Sequence, residues 1–357
     1  MAKKTVSLFI LALLLIIGNT SFFSHAEGNY TERVYISGYG QIIPVDPSVP
    51  KVMEGIKVKG PVRDMSFSED GRTGLFLANG RTTLYVVDTM NNKVKSEINL
   101  QARTDQGLLD RRVWGSTISP DGKKAYAFVT QGEKRKNSFK AHPSKILEID
   151  IASKQELRSV EAPYGTHVLQ FKKGDPNTIY IWGYDLHELD VKKMKLTLKQ
   201  GIKHPEKAED GSGNFLMLFP RGENGINSIP LIKQYPDGRV TEGVMWMNLA
   251  SGDMKTLEYD REPIGMFSAI IDQKEEFAYT TLNKWYKVDI QSQKIVKEAT
   301  PPVGSMYGVN LSADEEKLYF SGAGNDFIIA NKDLQVEKKL TIPTDSLDLK
   351  VIKIQNK

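Results

Sequence analysis

Short β-rich apolar runs, broken at close intervals by polar turn residues, run along most of this chain. Between Phe67 and Leu100 the pattern predicts four strands: one ending at Phe67-Ser68, then Thr73–Ala78, Thr83–Asp88 and Lys93–Leu100. An Asp-Gly turn at Asp70-Gly71 and a polar turn at Thr89–Asn92 separate them. Turn residues at this spacing mark a β-meander.

The unit repeats. The polar residue that ends each third strand recurs at Asp46, Asp88, Asp150, Asp190, Asn248, Asp289 and Asn331, with four gaps of 40 to 42 residues and two of 62 and 58. A four-stranded propeller blade takes ~40–45 residues, so the two long gaps are read as blades carrying insertions. The first-strand signature recurs as MSFSEDG, STISPDG, LQFKKGD, AIIDQKE and VNLSADE, with a degenerate copy in FLMLFPRGENG. Asp and Asn at such tips cap turns with their own side chains, and Gly supplies positive φ, so turn chemistry accounts for nearly all these carboxylates. The expected fold is an all-β, seven-bladed β-propeller.

The two ends of the chain are complementary. Residues 34–58 hold only three strands of a blade, whereas the tail SLDLKVIKIQ, starting at Ser346, is one strand too many. Closure is expected by the tail becoming the innermost strand of the first blade, which leaves no unpaired edge. Insertions rich in Pro, Gly and charge, at 103–112, 131–145, 204–213 and 232–240, are expected as exposed loops or extended hairpins on the perimeter.

At the start, two lysines precede an apolar run from Val6 to Ile17 and then Ser24-His25-Ala26. This predicts a signal peptide over residues 1–26, one propeller domain over 27–357, and a periplasmic or otherwise exported protein. The run is shorter than the ~20 apolar residues of a membrane span. Losing Lys3 and Lys4 lowers the formal charge from +4 to +2, a balance that suggests neither nucleic acid nor a membrane surface as partner. The sequence contains no cysteine, which excludes disulfides, thiolate ligands, a thiol nucleophile, thioether-bridged quinones and attachment of c-type haem to this chain.

Candidate chemistry is sparse. His142, His167, His187 and His204 are isolated and show no metal-ligand spacing. There is no Gly-x-Ser-x-Gly elbow, and Gly322 and Gly324 lie in a hairpin with no following helix. One constellation stands out. Aligned first strands place Arg63, Trp114, His167, Phe215, Phe267 and Tyr307 at one position, four residues before Phe67, Ile118, Phe171, Phe219, Ile271 and Leu311. Since first strands line the channel, these six are expected to ring one mouth, either as a binding rim for a partner or substrate or as spacers between blades.

Several segments resemble the propeller (beta) subunit of the quinohemoprotein amine dehydrogenases: VEAPYGTHVLQF and IWGYDLHELDV within 160–191, GVMWMNLASGDM at 243–254, and the run from Val303 to Pro343. The resemblance implies an exported heterotrimer. A dihaem cytochrome c subunit would carry two c-type haems and a small subunit the cysteine tryptophylquinone. A small primary amine is oxidised there to aldehyde and ammonia, with electrons passing to the haems. The propeller carries no cofactor and, in that family, no catalytic residue. Asn248 and Asn331 depart from the usual blade-end aspartate, and FKKGDPN lacks a plain Asp-Gly. Two other classes stay open: a free-standing exported propeller that binds a peptide, glycan or cell-wall component, and a lactonase- or lyase-type enzyme, which needs histidines or carboxylates converging on the channel mouth.

Overall fold

The computed structural model describes residues 30–215, 224–259 and 261–356. The candidate signal peptide and Phe219 lie outside them. The described strands gather into seven antiparallel sheets, one for each expected blade, and form a seven-bladed β-propeller over residues 31–355. Among the described residues the one helical element is a 3-10 turn at Ala208–Asp210.

Blade 2 runs outward from the channel through Asp64–Phe67, Thr73–Ala78, Thr83–Asp88 and Lys93–Asn99. Blade 4 starts on Val168–Phe171, blade 5 on Ser212–Phe215, blade 6 on Ser268–Ile271 and blade 7 on Met306–Leu311. Blade 1 is closed as expected: Leu349–Gln355 pairs with Tyr30–Ser37, followed outward by Tyr39–Asp46. At the seam, the backbone N–H groups of Leu347 and Asp348 donate to Ser37 Oγ at 3.1 and 2.7 Å, and Ser37 N–H donates to the Asp348 carbonyl at 2.9 Å. On the other flank Gln355 N–H donates to the Asp70 carbonyl at 3.0 Å, and the Arg72 guanidinium donates to the Gln355 carbonyl. Gly71 adopts φ +69°, and a β-carbon there would lie 2.4 Å from the Lys353 carbonyl oxygen. Only glycine fits this contact without moving the closing strand.

The last of the three strands expected within residues 34–58 is interrupted, forming Lys51–Val52 and Ile56–Pro61. Met53 N–H donates to the Pro44 carbonyl, which therefore faces the outer strand. Proline has no N–H to return a bond on that side, and the ladder breaks there.

The core is distributed between blades. Leu75, Val86 and Ile98 of blade 2 pack on Val113, Ala127 and Leu147 of blade 3, while Trp285 of blade 6 stacks on Phe320 of blade 7 at 4.0 Å. Each such contact removes the apolar side of one sheet from water by covering it with the next.

The insertions at 103–112, 131–145 and 232–240 take the extended-hairpin form, whereas 204–211 is bends and the 3-10 turn. In blade 3 the strands Gly107–Ile118, Lys124–Arg135 and Phe139–Asp150 each reach 12 residues, and Ala102–Thr104 adds a fifth strand. The register pairs Val113 with Val129 and Gly107 with Arg135, so this arm continues the blade beyond Trp114. Blade 5 carries a shorter arm, pairing Ser212–Phe215 with the end of Ile226–Gln234. Polar contacts hold both. Asp110 accepts from Lys134 at 2.5 Å, Gln101 at 2.7 Å and Arg112, and Glu258 accepts from Lys233, Tyr235 and Thr241.

Candidate functional site at the channel mouth

The inner strands bring the six aligned residues to corresponding levels of their blades, at or just before the point where each strand enters the disc. Their surroundings then divide them. Phe215 faces Trp182 of blade 4 at 5.8 Å and joins the apolar cluster between blades 4 and 5. Phe267 and Tyr307 of blades 6 and 7 pair with each other at 4.8 Å, both half-buried. The backbone entering Phe267 is fixed by Glu242, which is 1% exposed and accepts the N–H groups of Ile264, Gly265 and Met266 at 2.6, 3.2 and 2.7 Å.

Arg63, Trp114 and His167 form a different neighbourhood, on blades 2, 3 and 4. Trp114 is 36% exposed, its Nε1 donates to Thr130 Oγ1 at 2.9 Å, and the guanidinium of Arg81 lies over its ring at 4.3 Å. Blades 3 and 4 approach closely at this level, since a β-carbon on Gly115 would lie 2.5 Å from the His167 carbonyl oxygen. His167 meets Tyr184 edge-on at 6.1 Å, and its Nδ1 is buried without a hydrogen-bond partner. Burial, and after it the charge of Arg81, hold this imidazole below its ordinary pKa. Tyr184 also meets Tyr164 at 6.3 Å and carries Lys203 over its ring at 4.7 Å. With Tyr164 67% and Tyr184 40% exposed, blade 4 presents an aromatic shelf between the arms of blades 3 and 5.

Sequence alignment found Arg63, Trp114 and His167 but missed Arg81, Tyr164, Tyr184 and Lys203, which sit in connecting turns outside the aligned strand position. The signal in the sequence was the pair of tyrosines flanking His167, in PYGTH and WGYD.

A cavity of about 1000 Å³ lies deeper in the channel, toward the turns that join first and second strands. None of the six aligned residues lines it. Its wall includes Asp64, Ser66, Ser116, Gln170, Asn310 and Lys350. Asp64 Oδ2 accepts from Ser116 N–H at 2.7 Å and Oγ at 3.0 Å, tying blade 2 to blade 3. Burial pushes its carboxyl above the ordinary range, while Ser116 and Lys350 oppose the rise. Among the described residues no three His, Asp or Glu side chains converge as a metal site.

No family model and no curated protein matches the chain. Solved structures show the same fold at low identity. A hydrazine synthase chain from Kuenenia stuttgartiensis is 13% identical, with TM-score 0.53, over 86% of this chain and 90% of that one. A functionally unknown protein from Desulfotomaculum acetoxidans is 12% identical, with TM-score 0.57, over 90% and 98%. The dihydro-heme d1 dehydrogenase NirN is 13% identical, with TM-score 0.54, over 93% and 77%. At these identities the likeness is one of fold.

Proposed function

We propose that this chain is the cofactor-free propeller subunit of an exported amine dehydrogenase complex, docking a small quinone-bearing subunit and helping to wall its substrate pocket. In this reading a primary amine is oxidised to aldehyde and ammonia on the cysteine tryptophylquinone of that subunit, and a dihaem cytochrome c subunit takes the electrons. The observation that carries it is the uneven channel mouth, where exposed aromatic and cationic side chains lie between two strand arms. Exposed Trp, Tyr and Arg at the centre of a walled surface are the residue types that anchor protein interfaces. The segment resemblance supplies the partner, and similar folds named as a hydrazine synthase and a dihydro-heme d1 dehydrogenase are compatible with it. A free-standing binding propeller is the second reading, favoured by the tyrosine shelf on blade 4.

The test is purification from the exported fraction followed by substitution. Haem absorbance and a small companion chain support the complex, whereas a lone colourless chain supports the second reading. Trp114→Ala and Tyr307→Ala should then weaken assembly by ~2 kcal/mol or more if they are anchors. Trp114, being exposed, should leave the melting temperature of the isolated chain nearly unchanged. A lowered melting temperature with assembly intact would assign both residues to packing.

A further inference from the structure

The turn of blade 2 between Thr73–Ala78 and Thr83–Asp88 differs from its counterparts. Asn79 and Arg81 take φ +52° and +69°, and among the described residues no other second-to-third-strand turn holds a side chain in the left-handed region. An L-residue there is disfavoured and persists when its surroundings fix it. Here they do. Thr82 Oγ1 donates to the Asn79 carbonyl at 2.7 Å, Asn79 Nδ2 to Thr83 Oγ1 at 3.0 Å, and Val113 N–H to the Arg81 carbonyl at 2.8 Å. The result is an arginine aimed across the blade boundary, its Nη1 donating to the Val113 carbonyl at 3.3 Å and its plane over Trp114.

Three arginines meet at this corner, and only one is neutralised by an ion pair. Arg112 pairs with Asp110 at 2.9 Å, whereas neither Arg63 nor Arg81 has a carboxylate within ion-pair distance among the described residues. Asp64 is nearby, but Ser116 and its neighbour Met65 occupy its oxygens. Burial and then the charge of Arg63 disfavour the charged form of Arg81, while the charge of Asp64 favours it. An exposed Arg63 near the fixed guanidinium of Arg81 and an oriented indole leaves two like charges that an anion lying between them would neutralise.

We propose that the corner formed by Arg63, Arg81 and Trp114 binds a carboxylate on a planar ligand, the guanidinium groups taking the carboxylate and the indole the ring. Guanidinium forks match carboxylate geometry, and aromatic faces accept flat groups at little entropic cost. This inference goes beyond the docking reading and is measured on the isolated chain, so either can fail without the other.

The test uses intrinsic fluorescence. Trp182, Trp246 and Trp285 are buried, leaving Trp114 as the one exposed reporter of four. Benzoate should change the emission saturably, and its neutral counterpart benzamide should bind at least about tenfold more weakly, the effect of losing one charge-assisted hydrogen bond. Arg81→Gln and Arg63→Gln should each weaken benzoate by about tenfold or more. Arg63 is exposed and its side chain has no hydrogen bond or ion pair among the described residues, so its variant remains informative if Arg81→Gln fails to fold. Acetylglutamate amide carries a carboxylate without a ring and should bind much more weakly than benzoate. Its binding as tightly, with the same arginine dependence, would mean that no planar group is recognised and would overturn the proposal. Equal binding of benzoate and benzamide, or full affinity in the Arg63→Gln variant, overturns the proposal.

Discussion

Asn248 and Asn331 stand at blade ends where the other five blades have aspartate, and their Oδ1 atoms do the same work. Asn248 accepts the N–H groups of Ala250 and Ser251 at 2.9 and 3.1 Å, as Asp88 accepts those of Met90 and Asn91 at 3.0 and 3.2 Å. What the turn needs is one acceptor oxygen, not a charge. The aspartates nonetheless respond to acid. Hydrogen bonds from Ser153, Lys193 and Ser292 hold Asp150, Asp190 and Asp289 below the ordinary carboxylate range. A folded-state pKa below the unfolded one gives stability that is present above ~3.9 and is lost as pH falls through the folded value. A triple Asp→Asn variant at these positions should therefore lose less melting temperature than the parent between about pH 5 and pH 3. Equal acid sensitivity would move the effect elsewhere. Glu242 acts by a different route, and Glu242→Ala should cost ~2–4 kcal/mol in urea unfolding, because it leaves three backbone donors unpaired.

At the scale of the element, strand positions were legible where one face is apolar and the turns are marked. Thr73–Ala78 and Thr83–Asp88 fall at the bounds read from the sequence, and Lys93–Asn99 is one residue shorter. The arms were less legible. Residues 131–145 are mostly charged or small, and the arm is held by pairs such as Lys134 with Asp110 and Arg135 with Glu133, which leave no apolar period to read. Lys134, Gln101 and Arg112 hold the Asp110 carboxyl down to about 2 against the opposing effect of burial. Asp110→Ala should loosen the arm without melting the disc, seen as faster hydrogen exchange over residues 107–113 at an unchanged melting temperature. Phe215→Ala, which removes the contact with Trp182, should instead cost ~3 kcal/mol of global stability. The corner of Arg81 was invisible for a further reason. An arginine after Asn-Gly reads as turn chemistry, and its stacking on Trp114 exists only once two blades are side by side.

For the whole molecule, the spare strand at the end of the chain was the most informative sequence feature, since a ring with one blade short by a strand has a single way to close. Deleting residues from Ser346 onward removes the inner strand of blade 1, the bonds to Ser37 and the contact with Gly71 together. The truncated chain should lose cooperative unfolding, and an unchanged melting temperature would contradict the closure. Gly71→Ala tests the same seam more gently, and should lower stability by ~1 kcal/mol or more through its positive φ and its contact with Lys353.

The seam also sets the order of folding. Ser37 and Asp348, which bond directly, are 311 residues apart in sequence, so blade 1 cannot be finished until nearly the whole polypeptide has been made. Blades 2 to 7 can form as each meander emerges, whereas joining the ends must wait and carries the loop-closure entropy of the entire ring. Until then the open edge of Tyr30–Ser37 is exposed to wrong pairing with other chains. A circular permutant that links the tail to Tyr30 and opens the chain between Pro61 and Arg63 would turn the seam into a local hairpin, and should refold faster and aggregate less in stopped-flow refolding than the natural order.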